Sequence, residues 1–412
     1  MKICIMTLGC KVNRYESDAL TGKLQALGYE VVDTLQKCDV YIINTCAVTA
    51  EAEKKSRQMI ARCRKFNPDA RVIICGCASQ RDDNQFKIKG AQVVTGVAGK
   101  AKLIDIIENG ALEKSELPAI YDDYGDATQT RTRAYIKIQD GCNNFCSYCI
   151  IPYLRGRSRS RELASIIKEA QNLTDDVKEI VLTGINVTDF KIEGKPGLLV
   201  LLQELDKFGK RLRLSSMEET LVSEEFVQGL SKLHNFCPHF HLSLQSGCDS
   251  VLKRMNRKYM TADFLKSVNL IRKYFPLAGI TTDVIVGFPD ETDEEFDETL
   301  KFIRQVGFSS LHIFKYSRRE GTVAAKMKDL DDRIKAKRSC ILEEEKAALQ
   351  KAFIEKNKKG KGLIEEKEGE LYTGYTENYI KVYLSSDKDL INKIVDVQIE
   401  KPYRGGARAK LL

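Results

Sequence analysis

Three cysteines near residue 145 have a spacing that suits an iron–sulfur cluster. Cys142, Cys146 and Cys149 form a CxxxCxxC array in the segment DGCNNFCSYC. Three thiolates on one short loop can bind three irons of a 4Fe–4S cluster and leave the fourth iron open to a substrate or cofactor. The alternative is a zinc knuckle, but structural zinc takes four ligands, and no fourth Cys or His lies nearby in the sequence. The spacing favours a cluster over zinc.

Three further cysteines stand at predicted strand ends. The first 110 residues alternate short apolar runs with helical patterns, which predicts a doubly wound parallel sheet. Cys10, Cys46 and Cys77 each fall just past the C-terminal end of one of these strands, at the edge where open α/β sheets bind ligands. Cys75 belongs to the strand RVIIC itself, whereas Cys77 follows Gly76, a residue that permits a turn.

The remaining elements predict two more domains. Six apolar runs alternate with helical patterns after residue 133 and predict an open, partial TIM barrel of six βα repeats. They are YIKIQD, EIVLTG, RLRLSS, HFHLSL, GITTDVIVGF and SSLHIFKYS. A long charged helix over 331–359 leads to a Tyr-rich, strand-like end that predicts a small all-β barrel. We expect an α/β protein with domains at 1–113, 128–357 and 360–412, and a linker over 114–132.

Composition narrows the class of protein. The chain has 412 residues, a net charge of +8 and no apolar run long enough to cross a membrane. Its start lacks the cleavage site of a signal peptide, so we expect a cytoplasmic protein. Thirteen cysteines in a large chain without a signal indicate metal or redox chemistry rather than disulfides. Two stretches rich in Lys and Arg, 54–71 and 131–161, are compatible with nucleic-acid phosphates, although a solvated helix face is the commoner meaning of such a stretch.

The CxxxCxxC array resembles the signature of the radical S-adenosylmethionine (SAM) superfamily. Four segments extend the resemblance to one family, the methylthiotransferases: TLGCKVNRYES, NTCAVT, GCASQ and IQDGCNNFCSYCIIPYLRGRSRSR. The resemblance implies SAM bound at the cluster of Cys142, Cys146 and Cys149, and an auxiliary 4Fe–4S cluster bound by Cys10, Cys46 and Cys77. It also implies that both open irons face one cavity between the domains.

The resemblance also implies the reaction and its acceptor. Family members add a methylthio group to carbon, using one SAM as methyl donor and another as the source of a 5′-deoxyadenosyl radical. TLGCKVN and RSRSR resemble the branch that modifies N6-threonylcarbamoyladenosine beside the anticodon of tRNA. A second tRNA branch and a branch acting on a ribosomal-protein aspartate are the alternatives. The C-terminal barrel resembles the TRAM domain, an RNA-binding module.

Several polar residues on the predicted barrel strands are candidate SAM contacts. They are Ser216, Glu218, Gln245, Ser246, Asp283 and Gly287. Ordinary strand-end polarity and helix capping account for them equally well. The alternating arginines at 155, 157, 159 and 161 suit RNA phosphates, the SAM carboxylate or a solvated segment. His239 and His241 share one face of a strand and are expected in the barrel interior or facing substrate.

The alternative function, of a different class, is RNA binding without catalysis. An RNA-binding protein with structural or electron-transferring clusters would show the same basic stretches and terminal barrel. Such clusters take four cysteines, whereas both sets here offer three. We expect tRNA as the partner, a monomer, and an electron donor and a sulfur donor whose identities the sequence does not reveal.

Overall fold

The computed structural model describes residues 1–109, 116–121, 123, 127, 129 and 131–412. The N-terminal domain is a five-stranded parallel sheet in the order β2-β1-β3-β4-β5. Its strands are β1 (Lys2–Thr7), β2 (Glu30–Val32), β3 (Val40–Thr45), β4 (Arg71–Gly76) and β5 (Val93–Val94). Its helices are α1 (Lys11–Ala26), α2 (Ala50–Phe66), α3 (Cys77–Arg81), α4 (Asn84–Lys87) and α5 (Leu103–Asn109).

The order of these strands creates a crevice at one edge of the sheet. β1 pairs in parallel with both β2 and β3, so the chain reverses direction of travel across the sheet between β1 and β3. Loops that leave neighbouring strands at such a switch point diverge and open a ligand-binding crevice. The interior of the sheet is apolar on both faces, with buried side chains packed under the flanking helices.

The central domain is a partial barrel of six parallel strands. They are β6 (Arg133–Lys137), β9 (Glu179–Thr183), β12 (Arg211–Leu214), β14 (His239–Leu242), β15 (Gly279–Val286) and β16 (Ser310–Lys315). Short pairings accompany them: β7 (Gln139–Asp140), β8 (Arg159–Ser160), β10 (Lys191–Ile192), β11 (Lys195–Pro196) and β13 (Ser216–Met217). A single parallel bridge from Leu212 to Phe236 joins the halves β6-β9-β12 and β14-β15-β16.

Helices cover the outside of the partial barrel. α6 (Ile151–Arg155) packs instead against α3 of the N-terminal domain. The outer helices are α7 (Leu163–Gln171), α8 (Leu198–Asp206), α9 (Glu224–Leu230), α10 (Asp249–Arg254), α11 (Thr261–Tyr274), α12 (Asp293–Val306) and α13 (Asp332–Lys356). Their apolar faces form, with the strands, the largest core of the molecule. α12 illustrates the local rules, because Thr292 and Glu295 cap its start reciprocally and Gly307 ends it in a left-handed conformation.

The C-terminal domain is a closed five-stranded barrel in the order β17-β18-β19-β21-β20. Its strands are β17 (Lys359–Glu368), β18 (Leu371–Thr376), β19 (Lys381–Leu384), β20 (Ile394–Tyr403) and β21 (Gly406–Leu411). Closure removes free sheet edges and lets alternate apolar side chains fill a small core.

These three architectures confirm the fold class that the sequence predicts. The predicted domain boundaries at residues 113 and 128 lie outside the residues that the structure describes, as does much of the linker over 114–132. The domain limits therefore stay a prediction. Among the described residues, no helix is both long and apolar enough to cross a membrane.

Candidate active site

The three scattered cysteines leave neighbouring strands of the N-terminal sheet. Cys10 occupies the N-cap position of α1 after β1, Cys46 follows β3, and Cys77 is the first residue of α3 directly after β4. Gly76 has φ +101°, and a Cβ there would lie 2.5 Å from the Thr45 carbonyl oxygen, so the turn into Cys77 requires glycine. Cys75 belongs to β4, as predicted, and its side chain is buried in the apolar core.

Close approach also holds the first two of these loops together. Gly9 has φ +98°, and a Cβ at this position would lie 2.6 Å from the Cys46 sulfur. A larger residue would push the Cys10 loop away from Cys46. The parallel register and these two glycines therefore bring three loops to one edge of the sheet.

The contiguous cysteines lie on a compact loop after β7. The Cys142 amide donates to the Gly156 carbonyl (3.1 Å), and the Cys149 amide donates to the Cys146 carbonyl (3.0 Å). Phe145 takes a positive φ of 48° between the first two cysteines. Asn144 donates to Glu218 Oε1 (2.7 Å), which ties the loop to the end of the third barrel strand.

Both sets of cysteines line a single cavity between the N-terminal and central domains. Its volume is about 750 Å³. Within the described residues, the six predicted cysteines line it and the other seven do not. The shared cavity that the family resemblance implies is thus present, with room for a group held from both sides.

A guanidinium donates to one sulfur of each set. Arg155 Nε lies 3.3 Å from Cys77 Sγ, and Arg257 Nη1 lies 3.3 Å from Cys146 Sγ. Clusters held by three thiolates are anionic, and positive groups beside their sulfurs stabilise that charge. The donor set and its surroundings therefore fit a 4Fe–4S cluster on each side of the cavity.

Burial favours the protonated form of four of the six thiols. It raises the pKa of Cys46 and Cys149 to about 12 and that of Cys142 to about 11. It also raises the pKa of Cys10, although Arg155 acts in the opposite direction. Because metals bind thiolates, each site releases protons when it is loaded.

The spacing of the thiols disfavours a single-ion site. Among the described residues, no three His, Cys, Asp or Glu side chains gather closely enough to hold one metal ion. The ligands of a four-iron cluster bind different irons and lie farther apart than ligands of one zinc ion. The geometry therefore does not support the zinc knuckle that the sequence left as an alternative.

Four of the six predicted SAM contacts line the cavity, and two do not. Ser216, Glu218, Gln245 and Asp283 face it. Ser246 is fully buried and bonds to Thr299 Oγ1 (3.1 Å) outside it. The Gly287 amide donates to Glu291 (2.8 Å), and the Lys335 stem packs against this glycine. Both Gln245 and Ser246 lie beyond the end of β14, where Gln245 has a positive φ of 69° and the alternation of a strand does not apply.

Three of the alternating arginines are buried and contact neither RNA phosphates nor bulk solvent, and one of them, Arg155, lines the cavity. Arg155, Arg159 and Arg161 are buried, and each is paired with carboxylates. Arg161 bonds to Tyr15 of α1 (2.9 Å) and to Glu169, so it joins two domains. Arg157 alone is exposed, with its guanidinium over the Phe145 ring. The sequence of this segment does not indicate that the N-terminal domain covers it.

Arg155 is the centre of a buried ionic network across the domain seam. It pairs with Glu16 Oε1 (2.9 Å) and Asp140 Oδ1 (3.0 Å), and Lys137 Nζ lies 2.7 Å from both carboxylates. Lys100 also pairs with Glu16. The network joins α1 to the loop that carries the contiguous cysteines and lies directly behind Cys77.

The third domain also contributes to the cavity, which sequence reasoning missed. Tyr379, in the β18–β19 turn, lines the cavity and stacks on His239 with ring centroids 4.4 Å apart. Arg213 holds this turn by donating to the Glu377 carbonyl (3.0 Å). His239 and His241 both line the cavity, which confirms their expected orientation towards the barrel interior. Tyr379 has a positive φ in this turn, and the sequence does not reveal that conformation.

Comparison with known proteins agrees with these features. Residues 136–303 match the Radical SAM superfamily, and residues 2–99 match Uncharacterized protein family UPF0004. The chain is 40% identical to threonylcarbamoyladenosine tRNA methylthiotransferase MtaB of Bacillus subtilis over 98% of this chain and 95% of that protein. It is 34% identical to tRNA-2-methylthio-N(6)-dimethylallyladenosine synthase of Staphylococcus haemolyticus over 96% of this chain and 82% of that protein.

A solved structure shares the fold at low sequence identity. The radical SAM methyltransferase TsrM from Kitasatospora setae superposes with a TM-score of 0.60 at 16% identity, covering 79% of this chain and 77% of that one. This similarity concerns the fold alone. Together with the near full-length relatives and the two matched family regions, the cavity with its two sets of cysteines leads to one conclusion. The chain belongs to the radical SAM methylthiotransferase family.

Proposed function

We propose that this protein converts N6-threonylcarbamoyladenosine at position 37 of tRNA, next to the anticodon, to its 2-methylthio derivative. As a member of its family it is a radical SAM transferase, and its cofactors are SAM and two 4Fe–4S clusters. The choice of acceptor rests on the relatives named for that substrate, which match nearly the whole chain. The single observation that carries the proposal is the cavity lined by both sets of cysteines.

The six cysteines are assigned as cluster ligands. Cys142, Cys146 and Cys149 would hold the cluster that binds SAM, and Cys10, Cys46 and Cys77 would hold the auxiliary cluster. When bound, these groups supply a methyl group, a sulfur atom and a SAM-derived radical that activates the substrate carbon. The protein orients both sets towards one space and places a guanidinium beside one sulfur of each set.

Four polar residues are assigned to SAM. Ser216, Glu218, Gln245 and Asp283 lie at the carboxyl-end rim of the barrel strands, where barrel enzymes bind their ligands. Glu218 also pairs with Arg257 (3.2 Å), so its carboxylate is held near the contiguous cysteines. It is placed to accept a hydrogen bond from an ammonium or ribose hydroxyl.

The three domains divide the work in this proposal. Residues 1–113 carry the auxiliary cluster, 128–357 carry out SAM cleavage, and 360–412 bind the anticodon arm of tRNA. The seating of Tyr379 in the cavity supports a role for the third domain close to the reacting base. A tRNA substrate implies action in the cytoplasm. External electron and sulfur donors are required, and we expect the enzyme to act as a monomer.

Nucleoside mass spectrometry tests the acceptor. Anaerobically reconstituted protein would be incubated with SAM, a reductant, sulfide and unmethylthiolated tRNA that contains either threonylcarbamoyladenosine or dimethylallyladenosine. We expect a methylthio adduct on the first nucleoside and little on the second.

Each alternative outcome has a defined meaning. Modification of the dimethylallyl nucleoside alone would contradict the proposed branch. Formation of 5′-deoxyadenosine without any change in either tRNA would contradict a tRNA acceptor altogether.

A further inference from the structure

Lys11 places an unpaired positive charge in the cavity. It is the first residue of α1, directly after Cys10, and its side chain lines the cavity. Within the part of the chain that the structure describes, it forms no hydrogen bond or ion pair. Lys11 is exposed to the solvent of the cavity, and the charges of Arg213 and Arg133 act on it electrostatically.

The other cations around Lys11 are already paired. Arg213 makes two bonds to Glu179 (2.7 and 3.0 Å), and Arg133 lies 2.8 Å from Glu365 and 3.3 Å from Glu179. Asp283 is the remaining carboxylate acting on Lys11, at the SAM-binding rim. Lys11 therefore lies near two arginines that each already have a carboxylate partner.

The rest of this region offers several hydrogen-bonding side chains. His239, His241 and His312 line the same part of the cavity, and Thr281 Oγ1 bonds to the first two (3.0 and 2.9 Å). Burial lowers the pKa of His239 and His312, so neither adds charge at neutral pH. The Tyr379 ring closes the region from the C-terminal barrel.

This environment suits a substituent that ends in an anion. A threonylcarbamoyl group carries a carboxylate and a hydroxyl, whereas a dimethylallyl group is apolar and would leave Lys11 buried against hydrocarbon. Burying an ammonium without an anionic partner is unfavourable, so such a site accepts the acid and rejects the apolar group.

We propose that Lys11 binds the carboxylate of the threonylcarbamoyl group and so selects this nucleoside. The inference rests on the proposed function and adds a specificity-determining residue to it. A carboxylate on an ammonium forms a charge-assisted hydrogen bond, which is worth a factor of about 10 to 100 in affinity.

The test compares two anticodon stem-loop RNAs, one with N6-threonylcarbamoyladenosine and one with its methyl ester. The ester has nearly the same shape but no charge. Binding of each RNA and the KM and kcat for methylthiolation would be measured for wild type, Lys11→Met and Lys11→Arg. Lys23→Met, at the far end of the same helix, is the matched control.

We expect wild type and Lys23→Met to prefer the acid by about 10- to 100-fold in Kd and KM. Lys11→Met should lose this preference, and Lys11→Arg should retain most of it. Each variant is compared on two RNAs. A general loss of cluster or fold therefore weakens the binding of both RNAs, and the ratio of their Kd values still reports the preference for the acid.

Three outcomes would overturn the inference. A wild type that modifies the acid and the ester equally well does not read the carboxylate. A Lys11→Met variant that keeps the wild-type preference shows that another group reads it. If wild type modifies neither RNA, the proposed function itself fails, and this inference fails with it.

Discussion

The two cysteine sites are built in opposite ways around the same cavity. Cys142, Cys146 and Cys149 come from one loop, held by its own backbone hydrogen bonds. Cys10, Cys46 and Cys77 come from three loops that only the parallel sheet brings together. The first site is local, and the second exists only once its domain has folded.

Their supports differ in the same way. Arg257, behind the contiguous site, bonds to nearby groups of the central domain, including the Ser243 carbonyl (3.1 Å). Arg155, behind the scattered site, belongs to the central domain but is paired with Glu16 of the N-terminal domain. The scattered site therefore depends on the docking of two domains, and substitutions at the seam should affect it most.

The largest effect is expected from Arg155→Met. This change leaves buried Glu16 with lysines alone and buried Asp140 with Lys137 and the more distant Arg159, and breaking a buried pair costs about 3 kcal/mol or more. Urea unfolding of the cluster-free protein would measure the loss. A change below about 1 kcal/mol would show that the seam does not depend on this arginine.

A smaller effect is expected from acidification, and it should act on the contiguous side. Burial, with the neighbouring Glu218 charge, raises the pKa of Glu219 to about 7, so the folded state binds a proton that the unfolded state releases. Stability should rise by about 1 kcal/mol as the pH falls from 8 to 6. Glu219→Gln should remove this rise; an unchanged pH profile in that variant would assign it to another group.

The same pH range should leave the seam unaffected. Burial alone would raise the pKa of Glu16, but Arg155, Lys100 and Lys137 outweigh it and hold that pKa well below its usual range. A carboxylate with a lowered pKa contributes its stability above the unfolded pKa and loses it only in strong acid. The two sites should therefore respond differently between pH 8 and 6.

The smallest effect is expected from Arg157→Ala. Arg157 lies two residues from Arg155 but is exposed, and its guanidinium sits 4.5 Å from the centroid of the Phe145 ring in the contiguous loop. An exposed cation–π contact is worth about 0.5 kcal/mol. Urea unfolding beside Arg155→Met would measure it, and an equal loss in both variants would contradict the distinction between the two arginines.

Local patterns in the sequence predicted the contiguous site and the strand ends well enough to place six cysteines at one cavity. Spacing along one loop is visible in a sequence, and strand ends follow from apolar runs. Packing between residues distant in sequence could not be predicted. Nothing in the sequence near Arg155 or Arg161 indicates that α1 covers them, and Tyr379 is distant in sequence from the central-domain residues that it contacts. Ser246 and Gly287 do not line the cavity, because the path of the backbone past the strand ends cannot be read from the sequence.

The most direct test of two sites with separate roles uses one cysteine from each. Cys77→Ala and Cys142→Ala would be compared, after reconstitution, with Cys340→Ala, an exposed cysteine on α13, as the control. The assays are 5′-deoxyadenosine formation and methylthiolation of tRNA. We predict that Cys142→Ala loses both activities, that Cys77→Ala loses methylthiolation but still forms 5′-deoxyadenosine, and that Cys340→Ala keeps both. Methylthiolation that persists in Cys77→Ala would contradict the account.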